Sequence, residues 1–101
     1  MFAACLTVAA FIGTPHAHAT TEAYLDEVRA TVRYPLTDQQ ALRLGNIACQ
    51  AMRAGIEQGL TFGKARHQAD QAVGYAQRQL GLSLTMADGM LLVQAAEHQL
   101  C

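Results

Sequence analysis

Leu44-Gly45-Asn46-Ile47-Ala48-Cys49-Gln50-Ala51-Met52-Arg53-Ala54-Gly55 is the stretch that decides the fold. Its apolar residues recur at three- and four-residue intervals, the spacing of a helix face. Ala41, Leu44, Ala48, Ala51, Met52 and Gly55 form the centre of a broad apolar arc, and Arg43, Asn46, Gln50, Arg53 and Glu57 a narrow wet face. Cys49 sits at the edge of the arc, with Leu42 and Ile56 alongside. Gly45 and Gly55 each cost about 1 kcal/mol relative to alanine inside a helix, a cost that close approach of another backbone would explain.

Working outward, Thr37-Asp38-Gln39-Gln40 is a capping box, so this helix is expected to run from there to about Gln58, with Gly59 as its stop. Before it, Tyr24, Leu25, Val28 and Val32 share one arc, and Glu22, Asp26, Glu27, Arg29 and Arg33 share the other. That predicts a short amphipathic first helix, capped by Thr20 or Thr21 and ended by Tyr34-Pro35. After it, Thr61 is placed to cap a third helix, from about Phe62 to Leu80, closed by Gly81. Its apolar arc is narrow and alanine-rich (Phe62, Ala65, Ala69, Ala72, Val73, Ala76, Leu80), and Lys64, His67, Gln68, Gln71, Gln77 and Arg78 read as solvated.

Ser83 and Thr85 offer starts for a fourth helix, with Asp88 in a capping-box-like position after Thr85. Met86, Met90, Leu91, Leu92, Val93, Ala95, Ala96 and Leu100 leave it no clean polar arc, so it is expected to be the most buried of the four. Short connections favour antiparallel neighbours. The expected fold is therefore a small all-α, mostly antiparallel four-helix bundle.

At the other end of the sequence, Phe2 to Ile12 is an uncharged apolar run of eleven residues, and Ala17-His18-Ala19 is a site of the A-x-A type. This reads as a secretory signal peptide over residues 1–19, cleaved after Ala19, and residues 20–101 as a single helical domain. One part of the usual pattern, a basic n-region, is missing, since no Lys or Arg precedes Arg29. The run falls well short of the ~20 residues a membrane-crossing helix needs, so no stable span is expected after cleavage. Secretion or residence in the cell envelope follows.

Cysteine arithmetic supports that compartment. Cys5 would leave with the signal, so three cysteines become two, and Cys49 with Cys101 is the intramolecular pairing that remains. If the second, third and fourth helices run down, up and down, a fourth helix of about fifteen residues ends near the level of Cys49, at ~1.5 Å per residue. The domain carries seven basic and eight acidic side chains, a near-neutral balance that offers nucleic acid no clustered basic face and anionic lipid no polybasic patch.

These residues resemble the small secreted mycobacterial proteins grouped as domain of unknown function 732. The likeness covers residues 20–101 and the export signal before them. It rests on Tyr24-Leu25 followed by Val28, on Leu44-Gly45 with Cys49, Met52 and Gly55, and on Leu92-Val93 with Ala96 before Cys101. Leu92 stands where an aromatic is common in that family, and Leu100 where tyrosine is common. The resemblance implies an exported all-helical protein with a disulfide and no assigned activity, and it brings no catalytic residues.

Candidate chemistry is sparse. His67 and Asp70, at i and i+3, have the spacing of a metal pair or of a base with its orienting acid, but no second His or Cys pair supports a metal site. Glu97 and His98 are adjacent, so a helix would point them 100° apart. Ser83 has the first glycine of a nucleophile elbow, Gly81, and lacks the second. No glycine-rich phosphate loop occurs, and Cys49 and Cys101 are too far apart in sequence for C-x-x-C redox chemistry. No catalytic residue, metal or cofactor is expected.

The reading is a non-catalytic binding or structural module whose partner is an envelope or extracellular protein. The alternative is a carrier of a small apolar ligand between helices two and four, with Met52, Met86 and Met90 lining the slot. Leu91, away from the main arc of the fourth helix, would mark a partner surface if exposed.

Overall fold

Three threonines fix where three of the helices begin. Thr37 closes a full capping box: its Oγ1 accepts from the Gln40 N–H at 3.1 Å, and the Gln40 Oε1 accepts from the Thr37 N–H at 3.0 Å. Thr61 accepts from Lys64 N–H at 3.3 Å and Thr85 from Asp88 N–H at 3.1 Å, each satisfying a donor that the first helical turn leaves unpaired. The computed structural model describes residues 21–101. The expected signal peptide, its cleavage site after Ala19 and Cys5 lie outside the described residues.

Among the described residues the chain is all-helical: α1 (residues 21–31), α2 (Asp38–Glu57), α3 (Phe62–Gln79) and α4 (Met86–Gln99). Thr21, one of two expected caps for α1, is already helical. Gly59 and Gly81 end α2 and α3 with φ of +90° and +73°, the left-handed geometry that glycine adopts without strain. There the Leu60 N–H reaches back to Gly55 O at 3.0 Å and the Leu82 N–H to Gln77 O at 2.8 Å, the long bonds of a Schellman turn.

The bundle is mostly antiparallel and its core lies against α2. Tyr24, Leu44, Val73, Leu92 and Val93, drawn from all four helices, are its largest fully buried side chains. The Tyr24 ring enters from α1 and its hydroxyl donates to the Ala41 carbonyl of α2, which gives the buried phenol the partner it needs. Burial pushes the Tyr24 hydroxyl well above its ordinary pKa, so it remains a donor.

Both glycines of the opening stretch mark close packing, in different ways. A Cβ at Gly45 would stand 2.5 Å from the Tyr24 hydroxyl oxygen and 2.9 Å from Leu100 Cδ2. A Cβ at Gly55 would stand 2.9 Å from Ala65 Cβ and 3.1 Å from its Cα. Gly55 thus admits the backbone of α3, as expected, whereas Gly45 admits a side chain from α1.

The C-terminal end of the bundle is closed by the disulfide. Cys49 and Cys101 are joined across a separation of 52 residues, with Cα atoms 5.2 Å apart, inside the range such a bond spans without moving backbone. Cys49 is buried on α2 and Cys101 is exposed. At the opposite end of α4, Asp88 makes a connection that helical periodicity does not predict. Instead of completing a capping box, its buried carboxylate accepts the Arg33 and Tyr34 N–H groups at 3.2 and 3.1 Å and ties the end of α1 to the start of α4.

Three expectations about burial need correction. α4 is not buried along its length: Leu92, Val93, Ala95 and Ala96 are, but Met86 is 83% and Met90 46% exposed. Phe62, placed on the apolar arc of α3, is 54% exposed. It opens the helix, and the backbone of α2 is already turning away at Gly59. Gln77, read as solvated, is buried because its Oε1 accepts the Leu84 N–H at 3.1 Å and fastens the turn between α3 and α4. No helix among the described residues is long and apolar enough to cross a membrane.

Candidate binding groove

The exposed methionines of α4 have a common neighbour in α3. Antiparallel packing sets Val73 and Gly74 opposite Gly89, and between the two helices runs a half-open groove of about 580 Å³. Its apolar lining is Val73, Gly74, Leu84, Met86, Gly89 and Met90. His67, Asp70 and Gln71 contribute on one side of Gly74 along α3, and Gln77 and Arg78 on the other. Asp70 to Arg78 is eight residues, so the groove follows about 12 Å of helix.

Met86 and Met90 lie one turn apart on the same face of α4, and Gly89 lies between them on that face. A Cβ at Gly74 or at Gly89 would meet nothing within 4 Å. At these two positions the helices carry no side chain, and the backbone is bare there.

The polar groups near the groove are mostly committed elsewhere. Arg66 leaves α3 for α4, with its Nη1 2.6 Å from Glu97 Oε1 and its Nη2 donating to the Met90 carbonyl at 3.3 Å. Its Nε lies 3.9 Å from Asp70 Oδ1, too far for a hydrogen bond, and both of these buried atoms lack a hydrogen-bond partner. Burial pushes the Asp70 carboxyl above its usual pKa; the Arg66 guanidinium and His67 pull the other way, and Glu97 adds to the rise. The Arg78 side chain is exposed and makes no hydrogen bond or ion pair among the described residues.

The residues singled out in the sequence disperse. His67 and Asp70 both line the groove, but Asp70 faces Arg66, and no hydrogen bond joins it to His67. Glu97 and His98 diverge as helical geometry requires, Glu97 to Arg66 and His98 to Glu27 of α1, with Nδ1 and Oε2 3.2 Å apart. The Glu27 carboxylate also accepts from Gln99 Nε2 at 3.2 Å, so both contacts serve to hold α4 on α1. Ser83 is exposed ahead of the actual cap, Thr85. Cys49 and Cys101 are bonded to each other and offer no thiolate. No group of three metal-ligating side chains converges among the described residues.

Met52 is buried in the core at 6% exposure and takes no part in this groove, which lies between α3 and α4 and not between helices two and four. Leu91 is half-buried against the core. Sequence reasoning missed Arg66 and the pair Gly74 and Gly89. The signal for the glycines was present, since each lowers the propensity of a helix, Gly74 in mid-helix and Gly89 in the first turn of α4. Comparison with protein-family models, with curated proteins and with solved structures finds no match to this chain.

Proposed function

We propose that the protein is an exported helical module of the cell envelope or secretome that acts by binding and not by catalysis. The observation that carries this reading is the groove between α3 and α4, where Met86 and Met90, exposed like Ile56, Phe62 and Tyr75, are the two such side chains that line a concavity beside the bare backbone of Gly74 and Gly89. Exposed apolar side chains gathered at a concavity are a recognition feature. Support for the non-catalytic part is that Glu97, His98 and both cysteines are engaged in holding helices together. Support for export is the apolar run before Ala17-His18-Ala19, and the resemblance to the secreted family accords with it.

The test is a heteronuclear NMR titration of isotope-labelled protein, residues 20–101 with the disulfide formed, against fractionated envelope extract. Saturable shifts centred on the Gly74, Gly89 and Met90 amides are the expected result. Shifts confined to other faces, or turnover of a substrate that His67→Ala or Asp70→Ala abolishes, would overturn the reading. Material recovered from the exporting cell should begin at Thr20.

The alternative, a carrier of a small apolar ligand, has one observation in its favour. A volume of about 580 Å³ falls in the range of small-molecule sites, and the slot is the one between α3 and α4.

A further inference from the structure

The groove is electrostatically lopsided, and the lopsidedness selects a ligand. At one end lie His67, Asp70 and, behind Asp70, Glu97; the two acids share the single guanidinium of Arg66 and stand beside one imidazole. At the other end lies Arg78, uncommitted, together with Thr85 and Met86 at the first turn of α4. The Met86 and Ala87 N–H groups belong to that turn's unpaired donors, and a helix start carries partial positive charge. The one acid of this turn, Asp88, is turned away from the groove onto Arg33 and Tyr34. Between the two ends the lining is Val73, Gly74, Gly89 and the two methionines.

Resting on the binding reading above, we infer that the groove holds one molecule of a single-chain anionic amphiphile, with its head group at Arg78 and the start of α4 and its chain lying over Gly74 and Gly89. The negative end repels the head and the positive end attracts it, so the ligand has one orientation. The missing Cβ atoms let an unbranched chain lie against backbone on both walls. Methionine side chains adapt to a chain of variable shape and cover its outer side. A ligand about 12 Å long fills the groove from Arg78 to Asp70. The occupant is a free monomer, because a groove sunk between two helices takes a chain from solution and not the headgroup layer of a bilayer.

The experiment titrates the oxidised protein with decanoate, decyltrimethylammonium and decanol, each below its micellar concentration, and follows backbone amides. Decanoate is expected to bind best, moving Gly74, Gly89 and Met86. Arg78→Gln should weaken decanoate about tenfold, the worth of one charge-assisted hydrogen bond, and leave decanol unchanged. Gly74→Ala and Gly89→Ala should weaken both ligands while leaving the protein folded, since open space surrounds each position.

Equal binding of all three probes, preference for the cation, or decanoate shifts that avoid Gly74 and Gly89 would overturn the assignment. So would binding to anionic phosphatidylglycerol vesicles, lost in Arg78→Gln, with no response to monomeric decanoate. If decanoate fails while extract fractions still shift the groove amides, this ligand class falls and the binding reading stands.

Discussion

Gly45 and Gly55 on one side of the molecule, and Gly74 and Gly89 on the other, are the same residue in the same kind of place, the interior of a helix. Their surroundings are opposite. On α2 an added methyl group would run into Tyr24, Leu100 or Ala65, whereas on α3 and α4 it would meet nothing within 4 Å. Both pairs reduce helix propensity. Only the first returns that loss as packing, through a seam where α1, α3 and the residues after α4 press on α2. The second pair leaves a groove, and its helical cost is not recovered inside the protein. The contrast separates a side of the bundle made for stability from a side whose sequence answers to something else.

The sharpest way to break this contrast is to open the tight side. Replacing both cysteines (Cys49→Ala with Cys101→Ala) removes a closure of 52 residues, and the chain-entropy account puts the loss at about 4 kcal/mol. Urea unfolding of the variant against the oxidised parent measures it, and a loss below about 1 kcal/mol would mean that packing alone holds the seam. The oxidised protein of residues 20–101 should also be lighter than its reduced form by two hydrogens and titrate no free thiol.

Next in size is Gly45→Ala. The new Cβ would lie 2.6 Å from Tyr24 Cζ, in a ring with no exposure, and moving that ring also breaks its bond to the Ala41 carbonyl. A loss of about 3 kcal/mol is expected from overpacking with the broken hydrogen bond. Gly55→Ala meets Ala65 backbone and should lose about 2 kcal/mol. A neutral outcome at Gly45 would show that α1 adjusts freely and that the tight side is not tight.

The sequence made these two sides unequally legible, for physical reasons. α2 was plain because its apolar arc, capping box and terminating glycine all point the same way, and agreement among local signals is what specifies a fold. The disulfide followed from counting cysteines and from helix lengths. Burial along α4 was misjudged because periodicity reports which face is apolar, not whether a neighbour covers it. Met86 and Met90 line the half-open groove beside the narrow, alanine-lined α3, which leaves them largely uncovered, so the apolar stripe continues where the cover stops. Asp88 and Gln77 were misread for a related reason. Each satisfies a backbone N–H in a connecting segment, at Arg33 and Tyr34 or at Leu84, and such bonds depend on tertiary placement that no local pattern encodes. The groove had one local trace, its two glycines, whose meaning only the space around them reveals.

On the open side the predictions change sign. Gly74→Ala and Gly89→Ala should each raise stability by up to about 1 kcal/mol, since alanine restores helix propensity and nothing obstructs its methyl group. Thermal and urea midpoints of the single and double variants measure this. A loss of stability in either would place the groove glycines in the same class as Gly45 and remove the distinction.

The smallest effect, and the most specific, concerns Asp70. Burial holds its carboxyl above the ordinary value of 3.8, against the pull of Arg66 and His67 and with a push from Glu97. Between 3.8 and the higher folded value the native state therefore binds more protons than the unfolded chain, and this group's contribution to stability falls as pH rises through that window. Asn cannot ionise, so Asp70→Asn should show no such fall, and Arg66 keeps its 2.6 Å contact with Glu97. The stability of the variant relative to the parent should be steady below 3.8, grow as pH rises through the window and level off once Asp70 is ionised in the folded protein. Urea unfolding of both proteins across the acid range reads this difference directly. A difference that stays flat with pH would mean that Arg66 fully compensates the buried carboxylate. A difference that grows as predicted adds a destabilised charge to two unused glycines that line the same groove, so that three positions there give up stability while the glycines of the α2 seam return theirs as packing.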